Sequence, residues 1–328
     1  MAKILTVSIA AYNVEKFVSK AVDSIVLSNA LNDIEILIEN DGSTDNTKAI
    51  GELYQKKYPE SVKLINKKNG GYGSTINCSI KEASGKYFKQ LDGDDWFETE
   101  NLVDYINLLK KTDADWVITP FSMYYEDTKL TKNMDLTSYI DEGFYDVNNI
   151  EFKEYVNMHS STFRTQLLKG MPYKIRENCF YTDLEYLLYP LKFVKNVYIS
   201  KIPIYVYRFG REGQSVSIEG ICKHYKEHEM VLYDLINYYN TLENISSNVK
   251  DLILSRLISE IVSHMKWLCK MPFSLTNWKE TRAFILRLRN RESELMHASI
   301  LKSGFSKAMF KSDGFAYPIL RIVAKYKE

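Results

Sequence analysis

Along the first 120 residues, short apolar runs alternate with stretches whose apolar positions recur at helical spacing. Runs at 4–11, 34–39, 62–66, 86–91 and 115–120 predict five strands. Between them, Asn13 is placed to cap a helix carrying Phe17, Val18, Ala21, Val22, Ile25 and Val26 on one face. Further helices are predicted over 45–57, over 72–83 (entered through Asn69, Gly70 and Gly71), and from a Thr99 cap to 111. Strand and helix in strict alternation imply a mostly parallel sheet, helices on both faces and right-handed crossovers. After Pro120 the pattern changes. Residues 121–150 are aromatic and polar without clean period and read as hairpins or loops. Helical spacing returns near 150–157, 164–170 and 183–194, with short strands at 196–200 and 204–207. From 219 onward the chain is nearly all helical, chiefly 225–242, 249–268 and 275–294, with a break at Pro272. A boundary near 218 divides an α/β domain (1–218, with halves 1–120 and 121–218) from a helical region (219–328). No internal repeat is visible.

Composition narrows the function classes. The chain has 328 residues, 45% of them hydrophobic, enough for a proper core. A net charge of +1 argues against nucleic acid as the main partner. The four cysteines, at 78, 179, 222 and 269, have no metal-motif spacing and read as buried thiols. The N-terminal residues run straight into a strand pattern, without the apolar region of a signal peptide. No apolar run approaches the ~20 residues that span a bilayer. A cytoplasmic protein is expected, with a peripheral contact at the inner face of the membrane left open.

In open parallel sheets, ligands bind beyond the carboxyl ends of the strands. This chain places polar turn-formers there four times: at 10–13, 39–45, 66–71 and 92–95. The last holds three carboxylates, Asp92, Asp94 and Asp95. Such density is electrostatically costly unless a cation or a hydrogen-bonding ligand offsets it. Hard oxygen donors suit magnesium or manganese, which keep positions open for phosphates.

Taken together, Ser-Ile-Ala-Ala-Tyr-Asn (8–13), Asn-Asp-Gly-Ser-Thr-Asp (40–45), Asn-Gly-Gly-Tyr-Gly-Ser-Thr-Ile-Asn (69–77) and Leu-Asp-Gly-Asp-Asp (91–95) resemble the successive signatures of glycosyltransferase family 2. The resemblance covers roughly residues 4–217. It implies the GT-A fold and inverting sugar transfer from a nucleotide-diphosphate donor, most often a UDP-hexose or its N-acetyl form. It places Ala11 and Tyr12 against the nucleotide and Asp41 on the base. It brings Asn69 and Gly70 close to the donor, with Asn77 supporting their loop. Asp92 is assigned to ribose or sugar, Asp94 to a manganese or magnesium ion, and Asp95 to the sugar. The family more often has Pro at position 11, Asp at 40 and Glu at 182.

Inversion needs a base for the acceptor hydroxyl. Phe-Tyr-Thr-Asp-Leu-Glu (180–185) resembles the family's base-bearing helix start, which assigns Asp183 as the base and Glu185 as its substitute. The segment 207–217 resembles the family's late loop over the diphosphate, with Arg208, Arg211, Gln214 and Ser215 as contacts. It lacks the metal-binding His that many members have there. His159 falls where the family lines the acceptor side, and a structural role for it is the more ordinary one. The acceptor would be a glycan or a lipid- or protein-linked sugar. A catalytically silent protein of this fold and a sugar nucleotidyltransferase are the rivals. The second would show a Gly-rich basic loop after the first strand, which Ala10–Asn13 does not provide. In the C-terminal region, residues 266–268 and 316–327 mix aromatic, aliphatic and basic side chains. They suit an anionic membrane surface or a helical cap packed on the catalytic domain or on a second subunit. Packing is the expectation, because the hydrophobic positions suit core burial.

Overall fold

The computed structural model describes residues 2–211, 214, 217–291 and 293–325. β1 (Leu5–Ala11) runs through the middle of the main sheet, and Leu5, Val7 and Ile9 are fully buried. β2 (Ile34–Asp41) lies parallel on one side of it and β4 (Tyr87–Asp92) parallel on the other. β3 (Val62–Lys67) extends the β2 side, also parallel. This reversal of strand order about β1 opens a crevice at the carboxyl ends. α1 (Val18–Val26) packs on the sheet through Val18, Ala21, Val22 and Ile25, all fully buried and spaced three and four apart. α2 (Thr47–Lys57), α3 (Tyr72–Glu82) and α4 (Leu102–Lys111) complete the alternation. α4 adds Leu102, Tyr105, Ile106 and Leu109 to the same core.

Beyond β4 the ladder continues through β10 (Ser161–Arg164), β6 (Trp116–Ile118), β11 (Asn196–Ile199) and β9 (Gly143–Asp146). β10 runs antiparallel to both neighbours and joins the parallel β3–β2–β1–β4 set to the parallel pair β6–β11, which β9 borders antiparallel. A second, four-stranded sheet is ordered β5 (Trp96–Phe97), β12 (Tyr205–Phe209), β7 (Phe121–Tyr125), β8 (Thr131–Met134). β7 and β8 form the hairpin expected from the aromatic–polar stretch. α5 (Thr165–Lys169) and α6 (Asp183–Leu188) are short, and α6 passes into a 3₁₀ turn over Tyr189–Phe193.

Three local expectations give way. Asn13 does not cap α1, which begins five residues later. Asn13 has φ of +52°, and its side-chain oxygen accepts from the Thr44 amide at 2.8 Å, tying two loops together. The Thr99 hydroxyl likewise turns away from helix capping and donates to the Ser24 carbonyl at 2.8 Å. Residues 150–157 form no helix. Ile150 and Val156 are buried there from an irregular backbone, so their spacing reflected core contacts rather than a helical face.

The chain divides into two compact units: Met1–Arg211 with Ile245–Val249, and Glu212–Asn244 with Lys250–Glu328. The second consists of α7 (Ile218–Asn240), most of α8 (Ser247–Lys270), α9 (Leu275–Arg291), α10 (Ser293–Lys302), α11 (Gly304–Lys311) and α12 (Tyr317–Lys325). The Ser217 hydroxyl caps α7 by accepting from the Gly220 amide. Val231, Leu235, Leu257, Ile261, Phe284 and Leu288 are among its fully buried side chains. Among the described residues, no helix is long and apolar enough to cross a membrane.

Candidate active site

Parallel register brings the four polar strand ends to one level. Ala10 pairs with Asp92, Ala11 with Asn40, Asn40 with Asn66, and Asp41 with Lys67. The chain must turn at the same height in each strand, so its turn-formers gather on one face. The first two loops are stitched together. The Asn13 amide donates to the Ser43 hydroxyl at 3.1 Å, and the Glu15 amide donates to Asp45 at 3.0 Å. Ala11 is buried beneath this stitch, and the Tyr12 ring stands 52% exposed above it.

Asp41 is 2% exposed. Its two oxygens accept from the Gly70 and Gly71 amides, each at 2.9 Å, and Lys67 pairs with it. The Lys67 ammonium also donates to the Ser74 hydroxyl at 2.6 Å. One carboxylate thereby fixes the backbone of the 69–71 loop at the entrance to α3. Gly71 has φ of +77°, a region disfavoured for side-chain-bearing residues, and a Cβ there would meet the Asn178 backbone at 3.1 Å. Asn69, whose backbone packs on Gly42, is exposed.

The acid cluster is built differently. The Tyr72 hydroxyl donates to Asp92 at 2.6 Å. Burial and the charges of Asp94 and Asp183 push the Asp92 carboxyl up to about 7, against the opposing pull of Tyr72 and Arg211. Asp95 is 1% exposed; it accepts from the Tyr205 hydroxyl at 2.5 Å and the Arg208 amide at 2.8 Å. Burial, with Asp94 and Asp92 beside it, holds the Asp95 carboxyl well above the usual carboxylate range. The Asp94 side chain is 13% exposed. One of its oxygens pairs with the Arg211 Nε, and its carbonyl accepts from the Arg208 Nε at 2.9 Å. Arg208 also pairs with Glu126 at 2.7 Å, and its guanidinium lies 5.0 Å from the Phe17 and Trp96 rings.

Two donor sets present themselves for a cation. One is the carboxylate of Asp94, paired with Arg211. The other is Asp92, Asp95 and His159, whose ligand atoms lie within 4.8 Å of one another. Crowded acids with raised proton affinities are what a divalent ion would relieve, since its charge favours the ionised form. Oxygen donors with one imidazole fit manganese, and the oxygens alone fit magnesium. The residues present therefore fit such an ion. His159 stacks on Tyr207 at 4.5 Å and lies 4.8 Å from the Tyr205 ring. Its carbonyl accepts from Lys89, a fully buried lysine whose pKa burial lowers to about 7.

Asp183 opens α6, and its charge raises both Asp92 and the hydroxyls of Tyr72 and Tyr207. Tyr181, just before it, has φ of +64°, a costly conformation for an aromatic residue. The preceding segment is clasped to the start of α3. Asn77 donates to the Ile175 carbonyl at 2.8 Å and accepts from its amide at 3.1 Å; the Asn178 amide donates to the Gly70 carbonyl at 2.5 Å. Gly73 packs so closely that a Cβ would lie 2.0 Å from the Arg176 carbonyl oxygen. Glu185 is 1% exposed, accepting from the Arg176 amide at 2.6 Å and from the Tyr189 hydroxyl at 3.2 Å.

Asp92, Asp94, Asp95, Asp183, Arg208 and Arg211 thus come together with Tyr72, Tyr205, Tyr207 and His159. Asp41 and Gly70 form the adjoining loop. Gln214 belongs to the second unit, and Ser215 lies outside the described residues. The sequence reading gave no role to Tyr72, Tyr205 or Tyr207 and did not connect His159 with the acids. Tyr72 sat inside the glycine motif and was legible as a neighbour of the site. Tyr205, Tyr207 and His159 reach the acids only through the second sheet and β10, which no local spacing announces.

The sequence profile of glycosyl transferase family 2 matches residues 6–170, about half of the chain. An uncharacterized glycosyltransferase of Mycoplasma pneumoniae is 29% identical over 71% of this chain and 77% of its own length. For three bacterial relatives named as glycosyltransferases the match covers 32% to 77% of their length. The crystal structure of S. aureus TarS 1-349 in complex with UDP-GlcNAc superposes with a TM-score of 0.66 at 17% identity, over 96% of this chain and 90% of that one. The mannosyltransferase PcManGT from Pyrobaculum calidifontis, in complex with GDP-Man and Mn2+, gives 0.57 at 12% identity, over 100% and 89%. The fold is GT-A with a helical C-terminal region, and the chain belongs to glycosyl transferase family 2.

Proposed function

We propose that this chain is an inverting glycosyltransferase that moves a hexose or N-acetylhexosamine from a UDP-sugar to an acceptor hydroxyl. The observation that carries the reading is the position of Asp183, close enough to the Asp92–Asp95 cluster for its charge to raise the Asp92 carboxyl. A carboxylate there suits general-base work on a sugar held over the cluster. TarS in complex with UDP-GlcNAc supports a nucleotide-sugar donor, and PcManGT with Mn2+ supports a divalent cation.

The proposed roles are these. Asp183 takes the proton from the acceptor oxygen as that oxygen attacks the anomeric carbon from the face opposite the leaving group. Asp94 would hold the cation. A manganese or magnesium ion supplies positive charge against the departing diphosphate. Arg211, paired with Asp94, is placed to exchange that partner for a phosphate oxygen. Asp41 shapes the 69–71 loop that approaches the donor, and Asp92 with Asp95 contacts ribose and sugar. Tyr12, open above β1, suits stacking on the base. The acceptor is a glycan or a lipid- or protein-linked sugar in capsule, cell-wall or glycoprotein assembly.

The test is nucleotide release from a panel of UDP- and GDP-sugars, with manganese and with chelator, in wild type and Asp94→Ala. Cation-dependent release that Asp94→Ala abolishes supports the reading. No release from any donor, with UDP-induced thermal stabilisation unchanged in Asp94→Ala, overturns it in favour of a silent binding protein of this fold. Pyrophosphate formation from a sugar phosphate and UTP would identify a nucleotidyltransferase instead.

A further inference from the structure

The helical unit distributes its apolar surface against expectation. In and just before α12, Tyr317 is fully buried and its hydroxyl donates to the Leu268 carbonyl at 3.1 Å. Phe315, Ile319 and Ile322 are left 57%, 68% and 59% exposed. Ile319 and Ile322, three apart on α12, share one face of it, and Phe315 stands in the turn just before the helix. Phe273 and Leu275, at the turn into α9, are exposed as well, and the Phe273 ring stacks 6.3 Å from Tyr317. Among the described residues nothing covers Ile319 and Ile322, whereas Tyr317 is packed as expected. Contiguous exposed apolar groups of this size mark an interaction surface.

Charge indicates what covers it. Residues 266–328 carry 13 Lys and Arg against 5 Asp and Glu, a net +8, whereas residues 1–265 carry 30 against 37, a net −7. The positive excess is thus carried by the part of the sequence that also holds the apolar stripe. Two cations border it directly. Arg282 lies 3.9 Å over the Phe315 ring, and Arg321 lies 5.8 Å from the Phe273 ring. Acidic side chains nearby are already engaged, Asp313 by Arg289 and Glu280 by Lys226 at 3.0 Å. An apolar stripe within a basic field matches acyl chains beneath anionic headgroups. A second copy of the same surface would bring two basic fields together, which like-charge repulsion opposes.

We propose that the Phe315–Ile319–Ile322 stripe and its basic surround dock this chain on an anionic lipid bilayer. The inference is independent of the catalytic reading and uses none of the proposed active-site residues. Co-sedimentation of the full chain with phosphatidylcholine vesicles, with and without phosphatidylglycerol, tests it. At least about tenfold tighter partition onto the anionic vesicles is expected, weakened by high salt. Ile319→Ser/Ile322→Ser should reduce that partition by at least about tenfold, and Lys307→Glu/Lys311→Glu should remove its dependence on phosphatidylglycerol. All four side chains belong to exposed positions, so folding should survive, which circular dichroism checks. Equal partition onto neutral vesicles, or none onto either, overturns the proposal. So does a concentration-dependent dimer, seen by ultracentrifugation, that Ile319→Ser/Ile322→Ser abolishes without any change in vesicle binding.

Discussion

The glycine loop and the acid cluster sit side by side on the same sheet, and they treat their carboxylates in opposite ways. Asp41 is given two backbone amides and a lysine, and its charge is met on the spot. Asp92 and Asp95 are given mainly phenols, one amide and one another, and both are driven to hold protons. A satisfied carboxylate shapes the chain; a crowded one is poised to bind a cation. Sequence spacing alone makes the two look alike, since each is an Asp beside a Gly at a strand end.

Three substitutions probe that contrast. The largest effect is expected for Asp183→Asn, which keeps the helix start but removes the proposed base. Transfer should fall by about 10²–10⁴-fold while donor-induced thermal stabilisation is retained. A near-normal rate would place the base elsewhere. Next is Asp41→Ala, which strands two loop amides and Lys67. A stability loss of about 1–3 kcal/mol in chemical denaturation, with weaker donor binding, is expected. Weaker donor binding with unchanged stability would move Asp41 from shaping the loop to touching the ligand, and would erase the contrast. The smallest effect is expected for Glu39→Gln. Glu39 is fully buried on β2, accepts from the Ser79 hydroxyl at 2.7 Å, and is raised to about 7, chiefly by burial. A carboxyl raised in the folded state keeps its proton there while the unfolded chain has lost it. Stability therefore declines as pH climbs from the ordinary carboxylate range to about 7. Glu39→Gln should flatten part of that decline, by about 1–2 kcal/mol at pH 8. An unchanged pH profile would leave the acid cluster as the whole source of the slope.

The first half of the fold was legible because each strand and helix there shows its own period. β1, buried on both faces, shows Leu5, Val7 and Ile9 alternating with the small polar Thr6 and Ser8, and α1 shows Val18, Ala21, Val22 and Ile25 at helical intervals. Residues 150–157 misled for the converse reason: buried side chains in irregular backbone can imitate a helical period. At the site, the acids were visible as a cluster, but the agents that perturb them were not. Tyr205 lies 110 residues beyond Asp95, and the two meet only because β12 pairs with β5. His159 reaches the cluster through a turn whose carbonyl is held by Lys89, a core lysine that looks from sequence like an ordinary strand residue.

The clasp between Gly70–Asn77 and residues 175–178 has an evolutionary reading. It joins the loop at the donor strand ends to the segment leading into Asp183 by backbone and amide contacts, bypassing everything encoded between them. The exposed tip of the β7–β8 hairpin, residues 127–130, lies outside that clasp and is free to lengthen or change character without disturbing the alignment. New acceptors could be acquired there by insertion while positions 71 and 73 remain closed to any residue larger than glycine.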